Sequence, residues 1–150
     1  MIKTDVLIIG GGATGTGIAR DLALRGIDHC LVEKKDFAAG ATGACHGLLH
    51  SGGRYVVNDL QAARECITEN KILRNIGKKC VEFTEGLFVR LTGYSIEYRD
   101  QFLENCEKIG ISTQIYSSSE ALELVPNLNP SLIEAVKVPD CSIDPFRLCM

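Results

Sequence analysis

The stretch that decides the fold is DVLIIGGGATGTGIARDLALRG, Asp5 to Gly26. A short apolar run, Asp5–Ile9, ends in glycine and predicts a buried parallel-type strand. From Gly15 to Leu24 the apolar residues Ile18, Ala19, Leu22 and Ala23 fall at helical spacing, and Gly26 lies just past the end as a cap. His29–Val32 predicts a second strand. Strand, tight turn, helix and strand within about 30 residues form a βαβ unit, placed over residues 1–35, with a right-handed crossover.

Glycine costs backbone entropy, so three in a row demand a reason. Gly10-Gly11-Gly12-Ala13-Thr14-Gly15 satisfies G-x-G-x-x-G. The first glycine allows the turn, Gly12 lets phosphate oxygens approach bare backbone, and Gly15 lets the helix pack closely on the strand. The helix N-terminus, with Ala13 and Thr14, offers unpaired N–H groups and a positive dipole end to an anion. The flanking strand and helix supply the context a dinucleotide site requires. Glu33 ends the second strand 18 residues after Gly15, where a carboxylate accepts both hydroxyl hydrogens of an adenosine ribose. It also repels a 2′-phosphate, which disfavours NADP. Lys34 and Lys35 read as solvated, with Lys34 placed beside the adenine pocket.

The bulk properties fit one α/β domain of ordinary size. The 150 residues are 45% apolar with a net charge of −3, which argues against disorder and against a nucleic-acid surface. No apolar run reaches the length of a transmembrane helix, and the N-terminus lacks a signal-peptide pattern, so a cytoplasmic protein is expected. The seven cysteines include no C-x-x-C pair and no histidine cluster. No metal site is expected, and most of the cysteines read as small buried hydrophobes.

Residues 36–55, DFAAGATGACHGLLHSGGRY, hold five glycines and read as too small and flexible for an ordinary core element. FAD and NAD share the ADP part, so this stretch separates them. A second Gly/Ala/Thr-rich turn directly after the ribose carboxylate suits a longer ligand, and FAD with its ribitol and ring fits. His46 and His50 read as structural or hydrogen-bonding residues rather than general bases, and no catalytic base is assigned. Arg54 beside Tyr55 is suited to grip a phosphate or a carboxylate in bidentate fashion. Beyond this stretch the pattern predicts helices over Asp59–Ile76 and Tyr98–Ile109 and strands over Gly86–Leu91, Ile111–Ile115 and Ala135–Val138. A capping box at Ser117 and Glu120 and a helix start at Asp144-Pro145 are also expected. The chain ends early in that last helix, which reads as truncated.

GGGATGTGIARDLALRG, LVEKKDFAAGATG, HGLLHSGGRY, VKVPD and DPFRL occur in the order found in FAD-dependent glycerol-3-phosphate dehydrogenases. The sequence resembles that family, and within it the large subunit of the anaerobic type. HGLLHSGGRY is the most specific element. The resemblance runs across essentially the whole chain and covers the N-terminal part of the family protein. It implies a glutathione-reductase-like FAD domain, incomplete here, with the start of an interleaved substrate domain. It implies oxidation of sn-glycerol 3-phosphate to dihydroxyacetone phosphate, with hydride passing from C2 to flavin N5. Electrons then reach a quinone through iron–sulfur and membrane-anchor subunits, which places the protein on the inner face of the cytoplasmic membrane. By motif match, Gly10, Gly12, Gly15 and Glu33 hold the ADP part. Thr42, Gly43, Leu48, Leu49 and His50 lie along the pyrophosphate, ribitol and ring, and Arg54 and Tyr55 face the substrate. Ala44-Cys45 depart from the more polar residues usual there, and Cys141 replaces a glycine that commonly follows VPD. Two other readings stand beside this one: a related flavin enzyme for another small hydroxy or amino acid, and a non-catalytic chain that keeps the ADP-binding geometry.

Overall fold

The computed structural model describes residues 3–150, which fall into two compact units. The first holds residues up to Gly47 together with Ile143–Met150, and the second holds Leu48–Ser142.

The first unit is built on strand β1 (Val6–Ile9), helix α1 (Ala13–Leu24) and strand β2 (His29–Val32). The strands pair in parallel, Val6 with His29 through Ile9 with Val32. Gly26 sits in the left-handed region with φ +69°, and its N–H donates to the Ala23 carbonyl, closing α1. Helix α1 starts two residues earlier than its spacing implies, because Gly12 itself is the N-cap. One expectation fails in detail. Only Ile8 of β1 is buried, while Leu7 and Ile9 are 58% and 83% exposed. A continuous apolar run is written for a sheet covered on both faces. Among the described residues this sheet has two strands. The short helix α5 (Pro145–Leu148) starts as expected, with the Asp144 carboxylate accepting from Phe146 and Arg147 N–H groups.

The second unit is an antiparallel sheet carrying helices. Strands β5 (Gly86–Leu91), β6 (Gln114–Ser117) and β7 (Leu132–Val138) lie in the order β5-β7-β6. Helices α2 (Leu60–Ile76) and α3 (Ile96–Ile109) supply Ala63, Ile67, Phe102 and Cys106 to a core with Val136 and Val138 of β7. Phe88 and Phe102 stack with ring centroids 4.9 Å apart. Helix α4 (Ser118–Leu124) covers a smaller cluster of Ala121, Leu132 and Ala135. Its capping box forms as expected, with Ser117 N–H donating to Glu120 at 2.7 Å.

Several boundaries move for local reasons. Helix α3 begins at Ile96 rather than Tyr98, because Ser95 is its N-cap and accepts from Tyr98 N–H. Strand β6 starts at Gln114 rather than Ile111; the Ile111 side chain joins the helical core instead. Strand β7 begins three residues before Ala135, at Leu132. Three short strands carry no readable pattern: β3 (Leu48–Leu49), β4 (Val81–Glu82) and β8 (Cys141–Ile143), ordered β3-β8-β4. The cysteine expectation holds for Cys80, Cys106, Cys141 and Cys149, whereas Cys45 is exposed and Cys30 and Cys66 are half-buried. Burial pushes the Cys106 thiol up to about 11, so it stays protonated at neutral pH.

Candidate functional site

The glycine turn joins β1 to α1, and each glycine in it answers to a different constraint. Gly10 has φ +112°, a conformation L side chains rarely adopt, and its N–H donates to the Val32 carbonyl at 2.8 Å. A Cβ on Gly15 would run into the carbonyl oxygen of Gly10, so the helix approaches the turn only through a bare Cα. A Cβ on Gly12 would sit 3.0 Å from Thr42 Oγ1. Gly11, to which the sequence pattern gives no role, is the most crowded by side chains. A Cβ there would lie 2.9 Å from the Phe37 ring and 3.2 Å from Glu33 Cβ. Its signal is the middle position of the glycine triplet, which the motif leaves open.

The glycine-rich segment 36–47 folds back on this turn. Ala38 N–H donates to the Gly11 carbonyl at 2.9 Å, and Thr42 Oγ1 accepts from Ala13 N–H at 3.0 Å. Ala38 is buried at φ +58°, and a Cβ on Gly43 would collide with the Ala38 carbonyl oxygen. The segment is therefore tied down at Ala38, Thr42 and Gly43, although most of its other residues are exposed, which corrects the expectation of looseness at those points. The second half of 36–55 is tighter still: Ser51, Gly52 and Gly53 are buried. Small side chains here permit close backbone approach rather than mobility.

Gly10, Gly12, Gly15, Ile18 and Thr42 border an open cavity of about 460 Å³ at the α1 N-terminus. Gly12 has no side-chain acceptor to cap the helix, and no acidic residue stands in the first turn. Ala13 N–H is taken by Thr42 Oγ1, and the rest of the first turn with its positive dipole end faces a cavity whose floor at Gly10, Gly12 and Gly15 is bare backbone. Gly11 N–H donates to Glu33 Oε2 at 2.7 Å and Lys35 N–H to Oε1 at 2.9 Å. The Gly11 bond, then the Lys35 bond, holds the Glu33 carboxyl below the usual carboxylate range, so it is ionised at neutral pH. Each oxygen keeps a lone pair for a further donor. Thr14 and Lys34 are exposed. This donor set fits a diphosphate and a ribose diol.

In the second unit, Leu48, His50, Arg54, Phe88 and Asp140 line another cavity, of about 290 Å³. Tyr55 and Leu49 are not part of that lining. Two glycines deliver Arg54 to it. Gly52 has φ +102° and passes so close to the Ala63 carbonyl that no Cβ fits, and a Cβ on Gly53 would lie 2.9 Å from the Phe88 ring. The turn continues with Tyr55 N–H donating to the Gly52 carbonyl at 2.9 Å. Arg54 is exposed. Asp140, the last residue of the VKVPD motif but given no role by it, and Asn70, which lies in no motif, anchor this segment. Asp140 accepts from Ser51, and Asn70 donates to Leu49 and Pro139 carbonyls. Partners 69 and 89 residues away leave no trace in a local pattern. Among the described residues, no group of three or more His, Cys, Asp or Glu is placed to hold a metal ion. No described helix is long and apolar enough to cross a membrane.

A βαβ turn with bare backbone at the helix start, backed by a ribose-competent carboxylate, defines a dinucleotide-binding α/β protein. The chain belongs to the family described as FAD dependent oxidoreductase, whose model matches residues 5–150. It is 59% identical over 147 residues to a subunit of the anaerobic glycerol-3-phosphate dehydrogenase of Haemophilus influenzae, covering 98% of this chain and 26% of that protein. It spans about a quarter of the length of the curated relatives it matches. Among solved structures, the dithionite-reduced L-α-glycerophosphate oxidase of Mycoplasma pneumoniae with FAD bound matches at TM-score 0.83 and 25% identity, over 99% of this chain and 41% of that one. The L-proline dehydrogenase of P. horikoshii matches at TM-score 0.82 and 26% identity, over 98% of this chain and 40% of that one.

Proposed function

We propose that the chain serves FAD-dependent oxidation of sn-glycerol 3-phosphate to dihydroxyacetone phosphate, with the electrons passed on to a quinone. The observation that carries this reading is the 59% identity, over 98% of the chain, to one polypeptide of a glycerol-3-phosphate dehydrogenase. The geometry supports the cofactor half. Gly10, Gly12, Ala13, Thr14 and Gly15 face the diphosphate at the helix start, and Thr42, which already holds Ala13 N–H, and Gly43 lie along it. Glu33 takes the ribose hydroxyls, Lys34 stands beside the adenine, and residues 1–35 are the ADP-binding unit. Leu48, Leu49 and His50 border the ribitol and ring.

When bound, FAD supplies the acceptor for the hydride that leaves substrate C2. The rest falls to side chains of this chain. Arg54 holds the substrate phosphate through paired charge-assisted hydrogen bonds, and Tyr55 flanks it. Leu48 and Phe88 give the Arg54 cavity an apolar wall beside the reacting carbon. Iron–sulfur and membrane-anchor subunits pass the electrons to the quinone at the inner face of the cytoplasmic membrane.

One observation favours a second reading, a flavin dehydrogenase of a small amino or hydroxy acid. The fold matches L-proline dehydrogenase as closely as it matches the glycerophosphate oxidase, and a guanidinium grips carboxylate as well as phosphate. Dye reduction by the flavin-loaded protein separates the two. Reduction with glycerol 3-phosphate and none with amino acids or 2-hydroxy acids is expected. The opposite selectivity refutes the first reading, and a protein that retains no flavin refutes both.

A further inference from the structure

We infer that Asp140 is a positioning residue for the Arg54 cavity, holding the segment from His50 to Arg54 in its working shape. The inference rests on the substrate reading proposed above. Its starting point is a carboxylate in an unexpected place. Asp140 is 7% exposed, and burying a carboxylate costs several kcal/mol before its partners offset it. An apolar residue would pack there without that cost, so the carboxylate calls for an explanation in what it organises.

Both of its oxygens face the same segment. Oδ1 accepts from Ser51 N–H at 2.6 Å and from Ser51 Oγ at 2.5 Å, and Ser51 is fully buried. Oδ2 lies 3.7 Å from Nδ1 of His50, too far for a hydrogen bond. Asp140 thereby fixes the turn that leads to Arg54 and faces the His50 ring, and His50, Arg54 and Asp140 all line one cavity.

The backbone on either side is clamped to keep these groups opposed. The amide nitrogen of Asn70 donates to the Leu49 carbonyl at 3.1 Å and to the Pro139 carbonyl at 3.4 Å. Those residues immediately precede His50 and Asp140. Leu49 also pairs with Cys141, and Leu48 with Ser142, between β3 and β8. Gly86 leaves room for the carboxylate, since a Cβ there would stand 3.0 Å from Asp140 Oδ2. A fully buried helix residue, a strand pair and a glycine gap thus converge on one carboxylate.

Two substitutions in the flavin-loaded protein test this. D140N keeps the shape and an oxygen acceptor for Ser51 but removes the charge opposite His50. D140A removes both. For D140N, kcat with glycerol 3-phosphate should fall about tenfold or more while KM and flavin content hold. For D140A, KM should rise about tenfold as well, and amide hydrogen exchange at Ser51 should quicken about tenfold. Wild-type kcat, KM and Ser51 exchange in both variants overturns the inference, as does a kcat loss that merely tracks flavin loss. If D140A does not fold, the kcat-against-KM split in D140N decides. If the wild-type protein does not turn over glycerol 3-phosphate, the substrate reading has failed separately. The exchange arm still decides for Asp140: faster amide exchange at Ser51 in D140A upholds its hold on the segment, and unchanged exchange overturns it.

Discussion

Substituting Gly12 and Gly15 in turn separates the cofactor role of the turn from its structural role. Gly12 has φ −84° and ψ −178°, a backbone that any L residue adopts. A Cβ there meets only Thr42 Oγ1 at 3.0 Å, and that hydroxyl sits on a rotatable side chain. The cost to the fold of Gly12→Val is therefore about that of the Ala13–Thr42 hydrogen bond, roughly 0.5–1.5 kcal/mol. In a chain this size that lowers Tm by only about 1–6 °C. The cost to a bound diphosphate is larger. A branched side chain at the helix start blocks approach to the first-turn N–H groups. Losing two charge-assisted bonds of about 1.5–3 kcal/mol each weakens binding by about 10²–10⁴-fold. Gly15→Ala should behave in the opposite way. Its Cβ would run into the Gly10 carbonyl, and backbone cannot rotate aside. Overpacking costs about 1–3 kcal/mol, a clash this deep with backbone falls at the upper end, and the roughly 1 kcal/mol of helix propensity gained leaves a net loss of about 2 kcal/mol. The assay is flavin absorbance per chain after desalting, with Tm measured on the flavin-free protein. Full flavin content in a well-folded Gly12→Val variant refutes the reasoning. So does a Gly15→Ala variant with unchanged Tm.

Other consequences follow from the remaining site and core residues. Arg54→Ala should raise the KM for glycerol 3-phosphate about 10–100-fold, from one lost charge-assisted contact, and leave flavin retention unchanged in the desalting assay. Glu33→Ala should weaken FAD binding about tenfold in a fluorescence titration, because the variant loses both the ribose acceptor and the partner of Gly11 N–H. Glu134→Gln should lower stability by about 1–3 kcal/mol in urea unfolding at neutral pH, because Glu134 accepts from Arg90 at 2.6 Å and Arg99 at 2.8 Å and the amide keeps only one acceptor oxygen. Burial pushes the Glu134 carboxyl up, but the hydrogen bonds from Arg99 and Arg90 outweigh it and leave it below the ordinary range. Its contribution is therefore complete above the unfolded value of about 4.3 and is lost as pH falls through the lower folded value. The variant should show a flatter acid limb in a pH series of unfolding curves.

The first 35 residues are legible because their signals are local. A strand, a glycine turn, a helix and a carboxylate at fixed spacing need no distant partner to be recognised. The same locality explains what the pattern misses. Burial of Leu7 and Ile9 is a property of neighbouring layers rather than of an apolar run, and no short-range pattern reports it. The strands Leu48–Leu49 and Val81–Glu82 are two residues long, which is one period of strand alternation and so no pattern at all. Glycine content in 36–55 reads as looseness because composition records small side chains and not what presses against them. Gly43 and Gly52 are small because carbonyl groups lie where their Cβ atoms would be.

On the function proposed above, the two cavities would recognise anions by different means, and the difference bears on specificity. At the glycine turn the recognising groups are backbone N–H donors and a helix dipole, which hold any diphosphate of the right shape. Selection there falls to Glu33, whose charge admits a ribose diol and repels a 2′-phosphate. At the second cavity the proposed recognising group is the exposed Arg54 guanidinium, which suits phosphate and carboxylate alike. Selection between those substrates must come from the fixed groups around it. The rigid ones are Phe88, stacked into the core, and the Ser51–Asp140 pair, buried and hydrogen-bonded. A change of substrate class should therefore require changes near these residues rather than at Arg54. The guanidinium supplies the attraction, and the packed wall beside it supplies the choice.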